Sequence, residues 1–102
     1  MYVFLRRDLA HPHQVVQACH AAIEAARAFL SPHQQHPSVI VCGVRDERRL
    51  YRCLDRLRAA GIRCRPFHEP DRHNELTAVA TEPLCGARRE LVSGFPLLTV
   101  SS

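Results

Sequence analysis

The spacing of hydrophobic residues changes along this chain, and each change predicts a different element. Tyr2–Leu5 (YVFL) is continuously apolar and then meets Arg6, Arg7 and Asp8, the pattern of a buried strand opening into a polar loop. From Pro12 to Leu30, Val15, Val16, Cys19, Ala22, Ile23, Ala26 and Leu30 recur at helical spacing, and Pro12 suits a first turn. That stripe is expected to face the core. Ser38–Val44 (SVIVCGV) is β-branched and almost wholly apolar, as a strand covered on both faces should be. Asp46 can cap a second helix running to about Ala60, with Leu50, Cys53, Leu54 and Leu57 inward and Gly61 as its stop. Ile62–Phe67 and Leu76–Thr81 read as two further strands, Ala87–Val92 as a short final helix and Phe95–Val100 as an extended tail.

No helix separates the last two strands, so the order β-α-β-α-β-β-α predicts an α/β protein with a mixed four-stranded sheet. We expect one domain over residues 1–102, a three-layer α/β/α sandwich; a hydrophobic content of 46% suffices for a single core. No signal-like segment and no run long enough to span a bilayer occurs, which predicts a cytoplasmic protein without membrane contact. Cys19, Cys42, Cys53, Cys64 and Cys85 are odd in number and widely spaced, with no CxxC pair, and are read as reduced core residues.

The net charge of +4 allows an anionic partner but is easily reached in a chain this small; all 14 basic residues are arginine, which adds little to that inference. Arg45, Arg48, Arg49, Arg52 and Arg56, with Arg63 and Arg65 on the following strand, can either track phosphates or form a solvated face. On the first helix His13, Gln17, His20, Glu24 and Arg27 fall within a sector of roughly 80°. This polar row is either a solvent stripe or one wall of a site whose N-terminal end favours an anion. FHEPDRHNE, Phe67–Glu75, concentrates His68, Glu69, Asp71, Arg72, His73 and Glu75 in one interstrand connection, and carboxylates beside histidines are the parts needed to activate water.

These residues carry a resemblance. VQACHAA, Val16–Ala22, is similar to the AQxAHAA helix signature of the type 2 peptidyl-tRNA hydrolases. RxDL at Arg6–Leu9, the GIxC segment after the second helix, LTAVATEP and the GFPLL tail also match, so the likeness spans nearly the whole chain. The resemblance implies hydrolysis of the ester joining peptide to tRNA, with peptidyl-tRNA or another RNA as partner and neither metal nor organic cofactor. It carries the family's helix glutamine and histidine onto Gln17 and His20, and its strand threonine onto Thr77. Two departures matter. His13 stands where the family has a lysine, making a permanent cation pH-dependent. In the loop, EPDRH places Glu69 at the family's catalytic aspartate, with Asp71 as an alternative base if the shorter loop shifts register.

The catalytic set expected from the resemblance is therefore His13, Gln17, His20, Glu69, Asp71 and Thr77, with tRNA contacts from Arg6, Arg7, Arg72 and His73. His20 either helps build the site or locks the helix to a neighbouring loop. An alanine-rich helix face suits either a homodimer, as the resemblance suggests, or close packing on the sheet. The competing reading is a non-catalytic member of the fold that binds tRNA, a nucleotide or a protein. A metal hydrolase built on His11, His13, Cys19 and His20 lacks any HExxH or paired-cysteine spacing. A Cys19–His20 dyad is opposed by the divergence of about 100° between adjacent helical residues.

Overall fold

The computed structural model describes residues 1–98. The elements are β1 (Tyr2–Arg6), α1 (His11–Phe29), β2 (Ile40–Val44), α2 (Glu47–Ala59), β3 (Cys64–Glu69) and β4 (Glu75–Thr81), with 3-10 segments at Pro70–Arg72 and Gly86–Val92. The strands form the mixed four-stranded sheet that the order of elements predicts, arranged β2-β1-β4-β3. β1 and β2 are parallel, as a connection through a helix requires; β4 runs antiparallel to both β1 and β3, as the short β3–β4 connection requires. Pro66 falls on β3, an edge strand, where its missing N–H costs least.

Alternation along β1 divides the core into two layers. Tyr2 and Phe4 meet Leu50, Cys53, Leu54 and Leu57 of α2, whereas Val3 and Leu5 meet Ala21 and Ala25 of α1 together with Ala78 and Ala80 of β4. α2 is fixed at both ends. The Asp46 carboxylate accepts from the Arg49 amide at 2.9 Å, and Gly61, at φ +75°, closes the C-terminus. There Ile62 N–H donates to Leu57 and Gly61 N–H to Arg58, the paired bonds of a Schellman end.

The face that α1 buries is not the expected one. Val15, Val16 and Ile23 are 54%, 49% and 56% exposed, and Cys19 is exposed with them. The buried residues are Gln14, Gln17, Ala21 and Ala25, while Ala22, Ala26 and Leu30 pack at the margin. Size decides this: alanines on both the helix and the sheet let the two backbones approach, and branched side chains there would wedge them apart.

Two of the five cysteines, Cys42 and Cys53, lie in the core as expected, and burial pushes the Cys53 thiol up to about 12. Cys64 is half-buried, and Cys85, like Cys19, is on the surface rather than inside. The tail lies along β2: Gly43 N–H donates to Pro96, Leu98 N–H donates to Val41, and Cys42 bridges Leu97. The Thr99–Val100 part of the predicted extended tail lies outside the described residues. Among the described residues no helix is long and apolar enough to cross a membrane.

Candidate active site

β3 and β4 reach further into the charged segment than its polarity suggested. Glu69 pairs with Glu75, so the connection shrinks to Pro70–Asn74, turned by the 3-10 segment and by His73 and Asn74 at φ 55° and 61°. Glu69 caps this turn through its own carboxylate, whose Oε1 accepts from the Asp71 amide at 3.2 Å. Its carbonyl accepts from Asn74 N–H at 2.9 Å. The side chain that was expected in a solvated loop is thus held at the end of a strand.

Opposite it, the ladder slips. Phe67 pairs with Ala78 but His68 with Leu76, which leaves Thr77 as the extra residue of a β-bulge. Leu76 keeps its place in the core beside α2, while Thr77 and Ala78 both turn toward α1. The Thr77 hydroxyl donates to Gln17 Oε1 at 2.8 Å, and Gln17 Nε2 donates to Glu69 Oε2 at 2.9 Å. Because a hydroxyl proton occupies the amide oxygen, the amide nitrogen must face the carboxylate. The Gln17 amide, then the Asp71 amide, hold the Glu69 carboxyl below its usual range, with His20 and Arg72 adding favourable charge.

His20 is exposed but not loose: its ring stacks on Phe67, centroids 4.7 Å apart and planes 12° apart, joining α1 to β3. Gln17, His20, Glu69 and Thr77 therefore converge. Asp71 contributes its amide, and its side chain is exposed. His13 is exposed on the first turn of α1, whose N-cap, Ala10, supplies no side-chain bond. His73 is exposed at the tip of the β3–β4 connection.

Three arginines expected to touch RNA are placed differently from one another. Arg6 is turned inward, with a side chain 7% exposed; its guanidinium forks onto both oxygens of Asp8, at 2.9 and 2.8 Å, and bonds Glu75 Oε1 at 2.8 Å. It thereby ties the β1–α1 loop to the start of β4 and lowers the pKa of both carboxylates. Arg72 lies 3.5 Å from Glu75, and its buried Nε has no hydrogen-bond partner. Arg7 is exposed, with one contact to the Leu97 carbonyl at 3.4 Å, and a Cβ on Gly43 would collide with it.

Pattern reading missed two supports. Gln14 is buried and donates to the carbonyls of Leu9 and Arg7, shaping the loop that leads into α1, and Phe67 is the platform under His20. Gln14 falls three residues before Gln17, and that spacing was the available signal for a buried amide face. Among the described residues no group of three His, Cys, Asp or Glu side chains is placed to hold a metal ion.

Fold and hydrogen-bonded trio together define a small α/β domain with a side-chain site at the margin of its sheet. The family model described as peptidyl-tRNA hydrolase PTH2 matches residues 1–93 of the 102, and the chain belongs to that family. No curated protein matches the chain.

Proposed function

We propose that the chain hydrolyses the ester between peptide and tRNA in peptidyl-tRNA, with Glu69, Gln17 and Thr77 as the working part of its site. The observation that carries this reading is the bond chain Thr77 to Gln17 to Glu69, which joins residues 60 and 52 positions apart into one oriented group. Family membership supports the substrate.

In the reaction a water attacks the ester carbonyl and its proton passes to the Glu69 carboxylate; as the oxyanion collapses, the ester C–O bond breaks and the same proton is returned to the departing ribose oxygen. A lowered pKa keeps Glu69 ionised at neutral pH, so that it orients the water before taking its proton. His13 and the uncapped first turn of α1 stabilise the developing oxyanion or a neighbouring phosphate. His20, stacked on Phe67, acts by positioning α1 against β3. Arg7, Arg72 and His73 contact the RNA, while Arg6, committed to Asp8 and Glu75, supports the loop instead.

The cytoplasm, where translation releases peptidyl-tRNA, is the setting this substrate implies. The exposed row of Val16, Cys19 and Ile23, rimmed by Glu24 and Arg27, suits a second copy of the chain, since a rim of both signs is self-complementary across a two-fold axis. Ile23→Glu should then shift the mass in sedimentation from dimer to monomer; a monomeric wild type rejects the pairing.

Peptidyl-tRNA hydrolysis by chelator-treated protein tests the activity. Wild type should turn over, Glu69→Gln should lose roughly 10²–10⁴-fold, and Asp71→Asn should stay within a few-fold. Equal rates for wild type and Glu69→Gln would remove the base. Absence of turnover in wild type, with tRNA still bound, would leave a binding domain.

A further inference from the structure

After β1 the chain enters α1 on one face of the sheet, and after the neighbouring parallel strand β2 it enters α2 on the other. In open α/β sheets such a divergence leaves a crevice at the carboxyl ends of the two strands, and ligands bind in it. Here the crevice is a hollow of about 630 Å³ at the ends of β1 and β2, within the range of small-molecule sites. Its walls carry Arg7, Arg45, Arg49, Arg52 and Arg56, and Asp8 is the acidic residue among them.

Among the described residues that positive charge meets no ion-pairing carboxylate. Both oxygens of Asp8 are engaged by Arg6, and among the described residues none of the five lining arginines forms a salt bridge. Arg45, Arg49 and Arg52 make no side-chain hydrogen bond there either, whereas the Arg56 guanidinium lies 5.1 Å from the centroid of the Phe95 ring on the hollow's wall. Arg49, Arg52 and Arg56 follow one another at i+3 and i+4 on α2, a spacing at which like charges weaken a helix. Forked guanidinium groups with free donors match phosphate oxygens.

We propose that this hollow binds a nucleotide-sized phosphate at a site separate from the Glu69 site. None of Gln17, His20, Glu69 and Thr77 lines it. The β1–α1 loop stands between the two: Arg7 and Asp8 face the hollow, and Gln14, one turn before Gln17, holds the Arg7 carbonyl from the other side. A free nucleotide and one residue of an RNA chain present the same phosphate chemistry, and the test separates them.

Calorimetric titrations of wild-type protein with ADP and with the trinucleotide CCA, at low and raised salt, provide the measurement. At least one probe should bind saturably and lose affinity with salt. The Arg49→Ala/Arg52→Ala variant, altered only at exposed positions of α2, should bind it roughly tenfold or more weakly, while Arg27→Ala on α1 should bind as wild type does. Tighter binding of CCA, with ADP competing, assigns the hollow to an RNA chain; binding of ADP alone assigns it to a free nucleotide. No saturable binding of either probe, or equal weakening in the Arg27→Ala control, overturns the proposal. Glu69→Gln protein should bind as wild type does, so the result stands apart from the outcome of the hydrolysis assay.

Discussion

Thr77 shows how one buried hydroxyl can set the orientation of a neighbouring amide. Its hydroxyl is fully buried and fixes the direction of the Gln17 amide. Thr77→Val keeps the shape but leaves the amide oxygen without its donor, which should cost about 1–3 kcal/mol in urea unfolding. Activity should fall with it, and Thr77→Ser should restore both. Asp8, Glu69, Glu75 and Glu82 all have lowered pKa values in the folded chain. Their contribution to stability is therefore complete above the ordinary carboxylate range, about pH 4, and is lost as pH falls through the lower folded values. Urea midpoints should not change on their account between pH 7 and 5, and should drop toward pH 3. Glu69 should likewise give no acid limb to the rate above pH 5. The motif and the charged segment single out Gln17 and Glu69 as candidates in the sequence. That they face one another follows from the same reading, but the bond from Thr77 does not, since one inserted residue in β4 re-aims Thr77 without leaving any compositional trace.

Among the elements, strands and helices were legible because core-facing runs must follow a period of 2 or 3.6, and Asp46 and Gly61 mark their helix boundaries chemically. Two features escaped. His68 and Glu69 read as loop because they are polar, although an edge strand tolerates polar residues on its open side. α1 read inside out because hydrophobicity was ranked above volume, whereas the contact with Ala78 and Ala80 admits only small side chains. Ala25→Leu should thus destabilise the protein by about 1–3 kcal/mol through overpacking, readable as a lowered urea midpoint. The gain in apolar surface would not offset the displaced helix.

For the molecule as a whole, the hydrogen-bonded trio lies at the ends of β3 and β4 and the arginine-lined hollow at the ends of β1 and β2, with the β1–α1 loop between them. The fold also assigns a task to the last described residues. β2 is an outer strand, and its open amides and carbonyls are met by Pro96 and Leu98. An uncovered strand of this kind is a template on which further chains add, the first step toward aggregation. Phe95–Leu98 therefore acts as a guard against self-association along that side, while Phe95 and Pro96 also wall the arginine hollow. Removing Phe95–Leu98 would uncover the outer side of β2 and open the wall of the arginine hollow in a single cut.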